Sequence, residues 1–316
     1  MSNEAWPALP LAQWRDTCTT LHLWTQIVGK VRLAHVSWLN HSWHAVLYAN
    51  ARGLTTSLIP YGGGGFEIEF DFVRHVLDIR TTDGDGAELA LRPESVASFY
   101  DRVMAALRKL GIAVEIRDLP CEIEGAIRFT ADHEHAAYDA EYAHRFWRAL
   151  LQADRVFKQF RTGFVGKCSP VHLFWGSFDL AVTRFSGRRA PLYGGKAPGL
   201  ASKVMQEAYS HEVSSAGFWP GGRGVDASFY SYAYPSPPEL AKSKVRPEAA
   251  FYHAELGEFL LPYEAVRSAA NPDAALLDFL CSTYEAVAEV SGWDRAALER
   301  PLGAAGVCPE IVAPKT

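Results

Sequence analysis

Phe66-Glu67-Ile68-Glu69-Phe70-Asp71-Phe72 alternates without a break, with apolar side chains at the even positions and carboxylates at the odd ones. Successive side chains of a strand point to opposite faces, so this period of two predicts a half-buried strand. Upstream, residues 43–49 and 53–59 read as extended stretches joined by Asn50-Ala51-Arg52, a hairpin signal. The glycine-rich run from Gly62 to Gly65 reads as a loop. Downstream, residues 75–81 read as a strand leading to the turn Asp83-Gly84-Asp85-Gly86 and a short stretch at 88–91. Helices flank the set. One spans 12–33, with Leu21, Trp24, Val28 and Val31 on one face and the polar series His22, Gln26, Lys30 on another. The other opens at Pro93-Glu94-Ser95 and stops at Gly111.

The second half follows the same order. Asp139 reads as the N-cap of a long helix ending near Gly163. Strands are expected at 171–175, 178–185, 227–234, 249–253 and 258–261, with a short helix near 200–209, a stretch of no assigned type at 211–219 and a last helix at 273–290. Local matches support a duplication. Val28-Gly29-Lys30 corresponds to Val165-Gly166-Lys167, His44 to His172, and Leu54-Thr55 to Val182-Thr183. The glycine run before Phe66 corresponds to Pro220-Gly221-Gly222-Arg223-Gly224, which sets Asp71 against Tyr230. The expectation is an α+β fold of two diverged helix–four-strand–helix repeats, 12–112 and 139–295, packed as one compact unit. Their sheet is largely antiparallel with helices on one side, a linker occupies 113–138, and the tail 296–316 is loose.

Composition bounds the rest. A chain of 316 residues, 48% hydrophobic and 21% charged, has ample material for a core. A net charge of -5 argues against non-specific nucleic-acid binding. The five scattered cysteines lack any CxxC pair, so neither a disulfide framework nor a structural zinc is indicated. The start Met-Ser-Asn-Glu-Ala-Trp-Pro does not resemble a signal peptide, and no apolar run reaches the roughly 18–20 residues of a membrane span. A cytoplasmic location is expected.

Several constellations bear on chemistry. Glu67, Glu69 and Asp71 share a strand face, where paired carboxylates serve metal binding or acid–base work; a solvated outer face is the plainer reading. Tyr230, Tyr232 and Tyr234 form a stripe suited to a ligand wall or to ordinary strand packing. Asp132-His133-Glu134-His135 has His-x-His spacing but precedes a helix, which favours a capping loop over a metal site. Neither glycine run leads into a helix, so both read as turns and not as phosphate loops. Gly187-Arg188-Arg189 with Lys196 makes a basic loop.

The strings Leu21-His22-Leu23-Trp24-Thr25-Gln26-Ile27-Val28-Gly29-Lys30 and Ser169-Pro170-Val171-His172-Leu173-Phe174-Trp175-Gly176-Ser177-Phe178-Asp179-Leu180-Ala181-Val182 are long and unusual. With Arg184-Phe185-Ser186-Gly187-Arg188, Ala208-Tyr209-Ser210-His211-Glu212 and Gly217-Phe218-Trp219-Pro220-Gly221, they resemble a family of uncharacterised bacterial proteins, domain of unknown function 5996. The resemblance covers roughly residues 10–295. It implies a bacterial source and brings no activity, cofactor or catalytic residue.

The leading expectation is therefore a small-molecule-binding protein or enzyme, its site a cleft between the repeats. His44 and His172 supply polar groups, Glu69, Asp71 and Tyr230 the floor, Lys30 and Arg184 charge for an anionic group, and Trp175 and Trp219 apolar walls. No resident metal and no particular cofactor is indicated. A non-catalytic interaction or dimerisation module is the competing class, and a metal-dependent hydrolase the third.

Overall fold

The computed structural model describes residues 5–222 and 224–308. The first four residues, Arg223 in the second glycine run and the tail beyond 308 lie outside the described residues.

The long first helix, α1 (Leu11–His35), is apolar on nearly every side and is buried along most of its length. A helix of that character belongs in the centre of a core. Its polar series is not wetted. His22 Nε2 lies 2.9 Å from the carbonyl of Gly176, and Gln26 exchanges hydrogen bonds with the backbone of Cys121.

A sheet of six strands follows: β1 (Tyr48–Ala49), β2 (Gly53–Thr55), β3 (Ile59–Tyr61), β4 (Gly64–Asp71), β5 (Val76–Thr81) and β6 (Gly86–Ala90). Its order is β1-β2-β4-β5-β6, with β3 paired to the start of β4, and every pairing is antiparallel. The hairpin turn forms because Asn50 Oδ1 accepts the amides of Arg52 and Gly53. Phe66, Ile68, Phe70 and Phe72 are buried, as the alternation requires. Phe70 packs on Phe99 of α2 (Val96–Lys109), which stacks on Trp24 of α1.

Residues 43–47 depart from the expected strand. His41 and Ser42 both have left-handed backbone, and a helical turn at Asn40–Ser42 occupies the approach. Leu47 nevertheless pairs with Leu173 through two backbone hydrogen bonds of 3.0 and 2.8 Å. That bridge joins the first sheet to a second.

The second half supplies α3 (Ala140–Thr162), β7 (His172–Phe174), β8 (Asp179–Arg189), α4 (Ser202–Ala208), β9 (His211–Gly222), β10 (Val225–Tyr234), β11 (Phe251–His253) and β12 (Glu258–Pro262). Three helices complete it, α5 (Tyr263–Arg267), α6 (Pro272–Val290) and α7 (Arg295–Leu298). These six strands run β7-β8-β9-β10-β12-β11, again all antiparallel. One face, with Phe218 and Phe229, meets Phe157 of α3 and Tyr263 of α5. The short α4 and its flanking loops lie over the opposite face, with Tyr209 against Tyr232. The fold is α+β, with two antiparallel sheets sharing one continuous hydrophobic core.

Candidate functional site

The nine residues expected to share a cleft fall into four neighbourhoods. Glu69 and Asp71 are on the face of β4 turned away from the core, and both are nearly enclosed by arginines. Glu69 takes Arg80 and Asn50, while Asp71 takes Arg52 and Arg74 at 2.5 and 2.9 Å. Burial raises the Asp71 carboxyl, but the hydrogen bonds from Arg52, Arg74 and two backbone amides outweigh it and hold it down to about 2. They form part of an ion-pair lattice across the first sheet and do not share a floor with Tyr230, which is in the second.

Arg184 also lies elsewhere. Odd positions of β8 face α4 and even positions face the long helices, so Arg184 enters the core beside Leu180 and Val182. Its guanidinium carbon sits 3.5 Å from the Phe160 ring centre and 4.3 Å from that of Tyr284, and it donates to the Phe160 carbonyl at 2.5 Å. Burial lowers its pKa to about 10. This cation ties α3 to the sheet and is not offered to a ligand.

His44, His172, Lys30 and Trp175 gather at the seam between the sheets. Trp175 Nε1 donates to the Ala45 carbonyl at 2.5 Å, and Lys30 Nζ lies 5.8 Å from the Trp175 ring centre. Gly29 leaves room for that ring, since a Cβ there would stand 2.3 Å from it. Both histidines feel the charge of Arg32, a buried guanidinium that donates to the Val46 carbonyl. His172 Nδ1 donates to the Pro170 carbonyl at 2.8 Å, so the neutral ring presents a bare Nε2, which has no partner among the described residues. Burial pushes His172 down to about 4.

Tyr230 and Trp219 stand on the α4-facing side of the second sheet, where the chemistry is densest. One row crosses four strands: His172, Ala181, Gly217, Tyr230. Three strand spacings, about 14 Å, separate its ends. Gly217 has no side chain to obstruct Tyr230, whose hydroxyl would lie 2.3 Å from a Cβ there. The phenol therefore leans across β9 and donates to Asp179 Oδ2 on β8, while Ser177 Oγ donates to Asp179 Oδ1. The adjacent row is polar too. Thr183 Oγ1 and Ser215 Oγ are 2.9 Å apart, and Tyr232 hydrogen-bonds Tyr209 at 3.0 Å. Tyr193 stacks on Tyr209 with ring centres 4.4 Å apart, and Tyr234 packs edge-on to both.

The titration of this cluster is displaced throughout. Burial raises Asp179 despite its hydrogen bonds from Ser177 and Tyr230. Burial, reinforced by the Asp179 charge, pushes Tyr230 well above the usual phenol range, and burial raises Tyr232 to about 12. Partly exposed Glu258, at the head of β12, is brought up to about 7 by burial and by Asp179. Two carboxyls and two phenols thus share one face, one carboxyl poised near neutrality and open to solvent. Such an arrangement can deliver and accept protons at physiological pH.

Sequence reasoning found the tyrosine stripe but missed Asp179, Glu258, Ser177 and Tyr209. Gly217 was the available signal, because a glycine inside a strand often marks a close approach. Asp132-His133-Glu134-His135 is a self-bonded turn, with Asp132 accepting the amides of Glu134 and His135 and pairing with His135 Nδ1 at 2.8 Å. It does not cap the helix that follows it, which Asp139 caps, but its backbone carbonyls accept the Val96 and Ala97 amides at the start of α2. Among the described residues no three His, Cys, Asp or Glu side chains are placed to hold a metal ion. No helix among them is long and apolar enough to cross a membrane.

Fold and site together define an α+β protein whose second sheet carries a titratable carboxyl–tyrosine face. The chain belongs to the Family of unknown function (DUF5996), whose model matches residues 6–300. No curated protein and no solved structure matches it.

Proposed function

We propose that this protein binds a small molecule on the α4-facing side of its second sheet and acts on it by general acid–base chemistry. The observation that carries the reading is the Asp179–Tyr230 hydrogen bond with Glu258 beside it, titrating at about 7. Folding gains nothing from raising a carboxylate in this way, and a carboxyl matched to neutral pH is what proton transfer needs. Tyr232, Tyr209 and Trp219 would give the ligand aromatic surface, and Ser215 and Thr183 hydroxyl partners. A ligand bearing a basic nitrogen or a hydroxyl complements this lining best, since the carboxyls outnumber any cation in it.

The two sheets are read as diverged copies of one unit, supported by their equal strand number, all-antiparallel pairing and edge-to-edge junction at Leu47 and Leu173. In that reading the copies have parted in chemistry. The first carries an ion-pair lattice and the second the reactive face. A reducing, cytoplasmic setting fits Cys18, Cys121, Cys168 and Cys281, which stand as free thiols.

Tyrosine-selective isotope labelling with a screen of small amines, alcohols and sugars tests the proposal. Binders should shift the Tyr209, Tyr230 and Tyr232 resonances together, and Asp179→Asn should weaken them at least tenfold. Binders that leave those resonances unmoved, or that bind Asp179→Asn equally well, would refute it.

A further inference from the structure

The same side of the second sheet carries a separate cluster toward the far end of β8. His41 and Ser42 each have φ 57°, two consecutive left-handed residues with side chains. Such backbone is costly unless its surroundings hold it, and strain of this kind gathers at functional sites. Here Glu207 of α4 holds it, accepting the His41 amide with both carboxylate oxygens at 3.0 and 2.8 Å. The His41 ring is fixed as well: Nδ1 donates to the Ala208 carbonyl at 2.9 Å. With its proton on Nδ1, the neutral ring offers a lone pair at Nε2, and Lys167 Nζ lies 2.7 Å from it.

Lys167 belongs to a segment paired beside β8, its carbonyl accepting the Phe185 amide at 3.0 Å. Its Nζ is flanked by the rings of Phe185 and Trp43, with centres 4.7 and 5.3 Å away. The side chain is exposed, its hydrogen-bond partner is the His41 ring, and the carboxylate whose charge it feels, Glu207, is itself bonded to the His41 amide. Glu207 and His211 are the other titratable groups facing the pair. An ordinary surface lysine points into water as a hydrated ammonium. This one has a directed proton acceptor and two aromatic walls.

We propose that Lys167 is an amine nucleophile, with His41 as the base that takes its proton, and that it condenses with an unsaturated or aromatic aldehyde. An ammonium proton passes to His41 Nε2, and the freed Nζ lone pair bonds to the carbonyl carbon while the carbonyl π pair moves to oxygen. His41 returns its proton to that oxygen, and Nζ sheds a further proton to solvent, giving a neutral carbinolamine. With one proton taken up from solvent, the hydroxyl leaves as water and a protonated C=N bond forms. The net change is ammonium plus aldehyde to iminium plus water, with no oxidant or reductant. Burial lowers Lys167 from its ordinary value, which eases loss of the ammonium proton, and lowers His41, which keeps its ring neutral with Nε2 free to accept. None of the Asp179 cluster takes part, so the two proposals stand or fall separately.

Limiting 4-hydroxybenzaldehyde with cyanoborohydride, followed by peptide mass spectrometry, tests it on the full chain. The reduced adduct should accumulate at Lys167 at least tenfold faster than at the average lysine. His41→Gln should abolish that advantage while leaving labelling of the other lysines unchanged. Labelling of Lys167 at the average rate, or an advantage that survives His41→Gln, overturns the proposal. If labelling rises at every lysine the variant has unfolded, and the pH profile of the unaltered protein decides. A Lys167 midpoint well below that of the other lysines supports the proposal, and a coincident midpoint overturns it.

Discussion

Glu258 and Asp71 are carboxyls that one protein displaces in opposite directions, and their consequences for stability differ in sign. Glu258 titrates at about 7 when folded, against an ordinary value of 4.5. Between those values the folded chain holds more protons than the unfolded one, so stability falls as pH rises from about 4.5 to about 7. In urea unfolding, Glu258→Gln should match the unaltered protein near pH 4.5 and exceed it at pH 8 by about 1–3 kcal/mol. A difference that does not change with pH would remove Glu258 from the account. Asp71 behaves oppositely. Arg52 and Arg74 hold it at about 2, so its contribution is present above its ordinary value of 3.8 and is lost as pH falls through about 2. Asp71→Asn should lower the urea midpoint at pH 7, and the deficit should shrink as the solution is taken toward pH 2. The carboxylates of β4 were legible in the sequence because they alternate with phenylalanines. Their arginine partners were not, since Arg80 arrives from β5 and Arg52 and Arg74 from the turns before β2 and after β4. Asp179 and Glu258 carry no motif at all: Tyr230 and Asp179 are 51 residues apart, and only the strand register brings them together.

At the scale of elements, the close passage of Tyr230 over β9 depends on one missing methyl group. A Cβ at Gly217 would meet the Tyr230 hydroxyl at 2.3 Å and the Leu180 carbonyl oxygen at 2.5 Å, and the second is backbone that cannot step aside. Gly217→Ala should therefore destabilise the protein by about 1–3 kcal/mol, a typical cost of overpacking. It should also release the Asp179 carboxyl, seen by carbon-13 NMR as a changed titration. An alanine variant with unaltered stability and Asp179 titration would show that the crossing is not tight. Strand β4 and the long helices were readable because their apolar spacing repeats over many residues. Residues 43–47 were not, because their aromatic and β-branched composition mimics a strand while His41 and Ser42 turn the chain. Arg184 was misplaced for a related reason. Composition shows a cation near a sheet, but only the pairing of β8 with β9 shows which face it takes.

The whole molecule is held together by α1 at its centre and by the Leu47–Leu173 bridge between sheets. Because both sheets draw on one hydrophobic core, they should unfold together. Far-ultraviolet circular dichroism and the fluorescence of Trp24 and Trp219, each left in turn as a reporter, should give coincident urea transitions. Separate transitions would make the sheets independent domains. The antiparallel pairing and the packing as one unit were legible in the order of elements; the backbone bridge between the sheets was not, because nothing in the sequence around Leu47 and Leu173 marks them as partners.

Crystallographic soaking with a library of small amines, alcohols and sugars tests the central claim most directly. The account predicts occupancy over Gly217 and Tyr230, within hydrogen-bond reach of Asp179 or Glu258. It would be contradicted if ligands settled only elsewhere, such as the hollow of about 610 Å³ lined by Gln13, Trp14, Pro93 and Tyr138, and left the carboxyl–tyrosine face empty.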